Sequence, residues 1–108
     1  MAQEMAQEEK VELEKISSLL HLARRAGKLI LGTAASEQSL KRKKAKLCIL
    51  AEDISERTKR NIIRISGDVP IFICATKAKL GAEFNRNELG IIIVEDGNFA
   101  HGIMRRLK

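Results

Sequence analysis

Between residues 11 and 23 the apolar positions recur at intervals of three and four: Val11, Leu13, Ile16, Leu19, Leu20 and Ala23. That period predicts an amphipathic helix starting near Glu9. Gly27 ends it, with Arg24 and Arg25 in the last turn, where cations suit the helix dipole. The pattern then changes. "KLIL", residues 28–31, reads as a short strand broken by Gly32 and Thr33, with Thr33 as N-cap of a helix running to about Lys43. "AKLCILA", 45–51, is a continuous apolar run, as expected of a central strand buried on both faces. Asp53 to Ser55 offer caps for a helix over about 55–66 that buries Ile62, Ile63 and Ile65. Gly67 and Asp68 turn the chain into "PIFICA", with Pro70 at the permitted first position of a strand. Thr76 caps a short helix, "KAKLGAEF", and "NRNELG" is a loop rich in turn residues. "IIIVE", 91–95, is a fourth buried strand, after which Gly97 and Asn98 start a final helix.

Helix and strand alternate throughout. Such alternation predicts an α/β protein, a three-layer α/β/α sandwich around a four-stranded sheet, mixed or mostly parallel, with right-handed crossovers. The chain of 108 residues has the size of one domain. Residues 1–8, MAQEMAQE, carry no apolar period and read as a flexible acidic extension; 9–108 read as the single domain.

Charge adds a second picture. Residues 1–15 hold five Glu and two Lys, a balance of −3. Residues 16–108 hold 18 cations and 9 acids, a balance of +9. A small body that basic calls for a polyanionic partner, and nucleic acid is the usual one. Aromatic residues make up 3%, without Trp or Tyr, which argues against base-stacking platforms. Cys48 and Cys74 lie inside apolar runs at no metal-type spacing, so they read as reduced core residues of a cytoplasmic protein. The Glu-rich start does not read as a signal peptide, and apolar runs of about four residues are far short of a membrane span.

Little catalytic chemistry is legible. Glu52–Asp53 and Glu95–Asp96 each follow a strand, where a divalent metal site is conceivable, but each also precedes a helix, where acids cap. His21 and His101 are lone histidines on helices, with no nucleophile elbow to complete a triad. The expectation is a non-enzyme with no metal and no cofactor. The stronger feature is the segment from Gly32: a glycine and small residues at a helix start leave backbone N–H groups open to phosphate. On that helix Ala34, Gln38, Lys41 and Arg42 share one face, while Ser36 and Leu40 share another that can pack on the sheet. "KRKKAK", 41–46, puts five cations in six positions, more than the dipole alone would explain.

"GTAASEQSLKRKKAKLCILAED", "VPIFICATKAKLG" and "IIIVED", taken in order, resemble the kink-turn-binding ribosomal proteins of the L-seven-Ae and L-thirty-e type, and among them the small bacterial members of the YlxQ type. The resemblance covers about residues 13–108. It implies an α/β/α sandwich with a four-stranded mixed sheet that binds a sharply bent RNA duplex. The family hallmark, G-T-N-E-x-x-K, reads guanine edges and backbone. Gly32 and Thr33 match it; Ala34, Ala35 and Gln38 stand where Asn, Glu and Lys are expected. Lys77 falls where the family has a backbone-contacting Lys. The loop of Asn85, Arg86, Asn87, Glu88 and Leu89 falls where the family caps a flipped-out nucleotide and sets RNA preference. Lys28 and the 41–46 cluster, with Lys41 and Arg42 at its start, would strengthen phosphate contacts. The implied function is a ribosomal-type RNA-binding protein, expected as a monomer, with a kink-turn, ribosomal RNA or the ribosome as partner and no membrane. The alternative keeps the fold with a degenerate kink-turn site, as a general duplex-RNA or protein-interaction module.

Overall fold

The computed structural model describes residues 9–106. The expected flexible extension, 1–8, lies outside the described residues. The elements are β1 (Glu9–Lys10), α1 (Leu13–Arg25), β2 (Leu29–Leu31), α2 (Thr33–Lys41), β3 (Leu47–Leu50), α3 (Glu56–Ser66), β4 (Ile71–Ile73), α4 (Lys77–Glu83), β5 (Ile91–Val94) and α5 (Gly97–Met104).

The sheet has five strands, in the order β1-β4-β3-β5-β2, rather than the four expected. β3 is parallel to β4 and antiparallel to β5, and β2 is antiparallel to β5. The additional strand, β1, is two residues long and parallel to β4. Its residues, Glu9 and Lys10, are exposed and charged, so hydrophobic pattern gave no sign of it. Backbone pairing forms it, extended by Val11 N–H donating to the Ile73 carbonyl at 2.9 Å. Charges on so short an edge also discourage further strands from adding.

β3 and β5 are buried on both faces, as their unbroken apolar runs require. Alternate side chains supply two cores. Leu47, Ile49, Phe72, Ile92 and Val94 pack under α1, α4 and α5, with Ile16, Leu20, Leu80, Phe84 and Ile103. Cys48, Leu50, Ile73, Ile91 and Ile93 pack under α2 and α3, with Leu40 and Ile62. Truncating one such Leu or Ile to Ala costs about 2–5 kcal/mol, so the sheet is a rigid base for the helix ends above it. On α3 only Ile62 of the three expected residues is buried. Ile65 is half-buried against the second core, and Ile63, about 100° around from Ile62, is half-buried.

Three helix ends share one device. In a Schellman motif the residue after the C-cap is left-handed and the next two N–H groups bond back into the last turn. After α1, Gly27 (φ 74°) holds that place, with Gly27 N–H to Arg24 O at 3.0 Å and Lys28 N–H to Ala23 O at 2.8 Å. After α2 it is Lys43 (φ 61°), with Lys44 N–H to Ser39 O at 3.0 Å. After α4 it is Asn85 (φ 61°), with Arg86 N–H to Gly81 O at 2.8 Å. Glycine suits the position, asparagine tolerates it, and lysine holds it at a cost.

Candidate nucleic-acid interface

Gly32, not Thr33, is the N-cap of α2; Thr33 is the first helical residue. The backbone there has φ 97° and ψ 160°, a region that essentially only glycine visits. Gly32 N–H donates to the Ile91 carbonyl at 3.1 Å, tying the turn to the start of β5. Without a side chain at the cap, no side-chain oxygen covers the N–H groups of the first turn. Thr33, Ala34 and Ala35 are exposed around them, while Ser36, Ser39 and Leu40 face the sheet, as the helical period required.

The loop after α4 closes over this turn. Ser17 Oγ and His21 Nε2 on α1 both engage Glu83 Oε2, the latter at 2.8 Å. The Arg24 guanidinium stacks over the Phe84 ring at 5.5 Å from its centroid. These contacts fix the end of α4, and its Schellman turn then sets Arg86. A Cβ on Gly81 would stand 2.7 Å from the Arg86 carbonyl oxygen, so only glycine lets the loop settle this closely. Arg86 Nη1 comes within 3.9 Å of where a Cβ on Gly32 would stand. Leu89 N–H donates to the Lys77 carbonyl at 3.0 Å, and the Lys77 stem lies beside Gly90. Arg86, Lys77 and the bare N-terminus of α2 therefore gather around residues 89–91, with Asn85 and Asn87 exposed on the same loop.

Lys41 and Arg42 stand apart, about 13 Å along the axis from Gly32. They still share the expected face: Ala34, Gln38, Lys41 and Arg42 line one hollow, together with Glu37. Lys28 does not join the group. Its carbonyl accepts from Glu95 N–H at 2.9 Å, at the opposite end of β2 from Gly32. A second hollow, between α2 and α3, is lined by Glu37, Arg57, Thr58, Arg60, Asn61 and Arg64. These arginines were legible in the sequence only through their spacing of three and four on one helix.

The acid pairs have structural partners. Asp96 accepts from Phe99 N–H at 3.0 Å and caps α5. Ser55, not Asp53, caps α3, accepting from Thr58 N–H at 3.1 Å. Asp53 instead accepts from Lys77 N–H at 2.8 Å, a contact across 24 residues that fixes the start of α4. Glu95 accepts from Ser39 Oγ at 2.6 Å, and Glu52 lies 4.0 Å from Lys10 Nζ. Among the described residues, no three His, Cys, Asp or Glu gather where they could hold a metal. Cys48 and Cys74 are free and buried; burial pushes both thiols up to about 12, with Glu14, Glu83 and Glu52 adding to the effect at Cys74. No helix among the described residues is long and apolar enough to cross a membrane.

The profile of the ribosomal protein L7Ae/L30e/S12e/Gadd45 family matches residues 14–101. The chain belongs to that family. It is 33% identical over 86 residues to the RNA-binding protein YlxQ of Enterococcus faecium, covering 78% of this chain and 84% of the relative. A protein with unknown function from Bacillus halodurans has a similar structure, with a TM-score of 0.78 and 26% identity over 86% of this chain and 96% of the other. The Giardia lamblia 15.5kD RNA binding protein shares the fold, with a TM-score of 0.69 and 16% identity over 87% and 82% of the two chains. Within the L7Ae/L30e family match fall α2, α3 and the 85–90 loop, the elements that carry the geometry described above.

Proposed function

We propose that this chain is a non-enzymatic, monomeric RNA-binding protein of the cytoplasm that holds kink-turn or similarly bent RNA against the N-terminus of α2. One observation carries the reading: the Arg86 guanidinium overhangs Gly32, where the first-turn N–H groups have no side-chain cap. Phosphate is the ligand that suits uncapped N–H groups with a guanidinium beside them. Lys77 supplies a second cation from the neighbouring helix start, and Lys41 and Arg42 extend the same face toward a flanking stem. The Enterococcus faecium relative, an RNA-binding protein, supports this reading.

Ala34 and Ala35 present no hydrogen-bonding side chain, and Gln38 carries no charge. A polar base contact is typically worth about 1–3 kcal/mol, so recognition here rests on bent backbone shape more than on base identity. The same three residues favour a second reading, in which the bend is no longer selected and the surface serves general duplex RNA or the ribosome.

The test is a titration of a kink-turn RNA against the same RNA with its G·A pairs replaced by Watson–Crick pairs, at about 50 and about 200 mM salt. A preference for the kink-turn at both concentrations is expected. Equal binding that collapses at the higher salt removes the bend-selective reading and leaves the second.

A further inference from the structure

Formal charge is distributed unevenly between the two outer layers. Residues 33–46 and 55–66, which build α2, α3 and their ends, hold nine cations against two acids, Glu37 and Glu56. The whole chain has a formal charge of +6, so one layer accounts for the basic character of the protein. Within it, Arg57, Arg60 and Arg64 follow one another at i, i+3 and i+7 on α3 and are exposed. They form a ridge about 10 Å long.

The helix dipole accounts for Arg64, in the last turn of α3, but not for the rest of the ridge. Arg57 lies in the first turn, where the helix dipole disfavours a cation. Glu56 stands one turn before Arg60, yet among the described residues no ion pair joins Arg57 or Arg60 to a carboxylate. The acid that reaches the adjoining hollow, Glu37, is engaged by Asn61 Nδ2 at 2.8 Å, and Asn61 Oδ1 in turn accepts from Arg64. The hollow, about 630 Å³, is thus lined by a Glu37–Asn61–Arg64 hydrogen-bonded chain together with the Arg57 and Arg60 side chains, three guanidinium groups against one carboxylate.

We propose that this ridge and hollow form a second RNA site, one that grips the sugar–phosphate backbone of a duplex stem separate from the bend at α2. A polyanion is favoured by charge. A protein interface would need an apolar anchor at its centre, and the exposed large hydrophobic among the described residues, Leu22, lies on α1 in the other layer. A single strand would need exposed aromatic faces to stack its bases, and Phe72 and Phe84 are buried while Phe99 is half-buried. A duplex backbone needs neither. Glu37 lines both this hollow and the one along α2, so the two surfaces are contiguous and one stem can run from the first onto the second. The proposal rests on the reading of this chain as an RNA-binding protein, but not on selection of a bend.

The experiment compares the intact chain with Arg57→Glu/Arg60→Glu on three RNAs: a minimal kink-turn with short stems, the same kink-turn with one stem lengthened, and a straight duplex of the longer length. Both side chains are exposed, and a thermal melt checks that the fold is kept. Binding of the lengthened and straight RNAs is expected to fall about tenfold, with a salt slope smaller by about two, while the minimal RNA is held as before. Arg57→Lys/Arg60→Lys is expected to restore most of the loss. Unchanged binding of all three RNAs overturns the proposal. An equal loss on all three overturns it as well, because the ridge would then belong to the α2 site. Failure of the bend-selective reading shows separately, as equal binding of kink-turn and straight RNA by the intact chain, and leaves the straight-duplex comparison valid.

Discussion

Arg86 reaches Gly32 across 54 positions of sequence, its Nη1 within 3.9 Å of the place a Cβ on Gly32 would occupy. The contact depends on Gly81, whose missing side chain lets the 85–90 loop lie against α4. Gly81→Ala would drive a methyl group to 2.7 Å from the Arg86 carbonyl oxygen and 2.9 Å from the Glu88 backbone. The loop must lift, which costs about 1–3 kcal/mol and displaces Arg86. Urea unfolding should show the lost stability, and kink-turn binding should weaken with it. Arg86→Ala should weaken binding while leaving the unfolding midpoint nearly unchanged.

Lys43 occupies the left-handed turn that ends α2. Replacing it with glycine relieves strain of about 1 kcal/mol, so Lys43→Gly should raise the melting temperature. The same change removes one cation from the strip. RNA affinity should fall uniformly across sequences, and the salt slope should shrink by about one. A variant that melts higher and binds less tightly is the expected pairing; if binding is unaffected, Lys43 lies off the RNA path.

The helix that presents Ala34, Ala35 and Gln38 retains a backbone on which base-reading groups would point outward, because all three are exposed on α2. Ala34→Asn/Ala35→Glu/Gln38→Lys should therefore raise kink-turn affinity at least tenfold, at about 1–3 kcal/mol for each productive contact. Straight duplex should gain little. An equal gain on both RNAs would point to the positive charge that Gln38→Lys adds rather than to recovered base contacts.

Glu83 is held below its ordinary carboxylate range, first by the hydrogen bond from Ser17 and then by His21, against an opposing push from burial. A carboxyl depressed in the folded state adds stability above its unfolded value, near pH 4.3. That contribution is lost as pH falls through the lower, folded value. The stability of the wild-type chain should thus decline below about pH 4.3 more steeply than that of Glu83→Gln, read from urea midpoints between about pH 3 and 6. Parallel curves would mean that the α1–α4 contact does not titrate.

The apolar runs of β3 and β5 announced buried strands because both faces of each had to be covered, and the three-and-four spacing in α1 announced its inward face. Those elements set the layers. What stayed hidden was made by distant backbone and side-chain partners. β1 consists of Glu9 and Lys10, charged residues with no strand signature, and exists because β4 offers an edge. Asp53 looked like a cap for the helix that follows it; folding brings the start of α4 closer, and Lys77 N–H takes the carboxylate. Thr33 looked like the cap of α2, but it is already the first helical residue; the cap is Gly32, whose φ of 97° favours glycine over any residue with a side chain. In the candidate site, the cations of the 41–46 run were plain in sequence. The approach of Arg86 to Gly32 was not, since it needs Gly81 and the turn at Asn85 together.

The uneven charge of the two helical layers acts before any contact forms. With its cations gathered on α2 and α3, the protein turns in the field of an approaching polyanion, so that this side leads. Encounters then begin in a productive orientation, and the bimolecular association rate rises toward the electrostatically steered regime, falling as salt shortens the reach of the field. Sheet topology, by placing α2 and α3 on the same side, thereby sets the speed and the facing of the first collision.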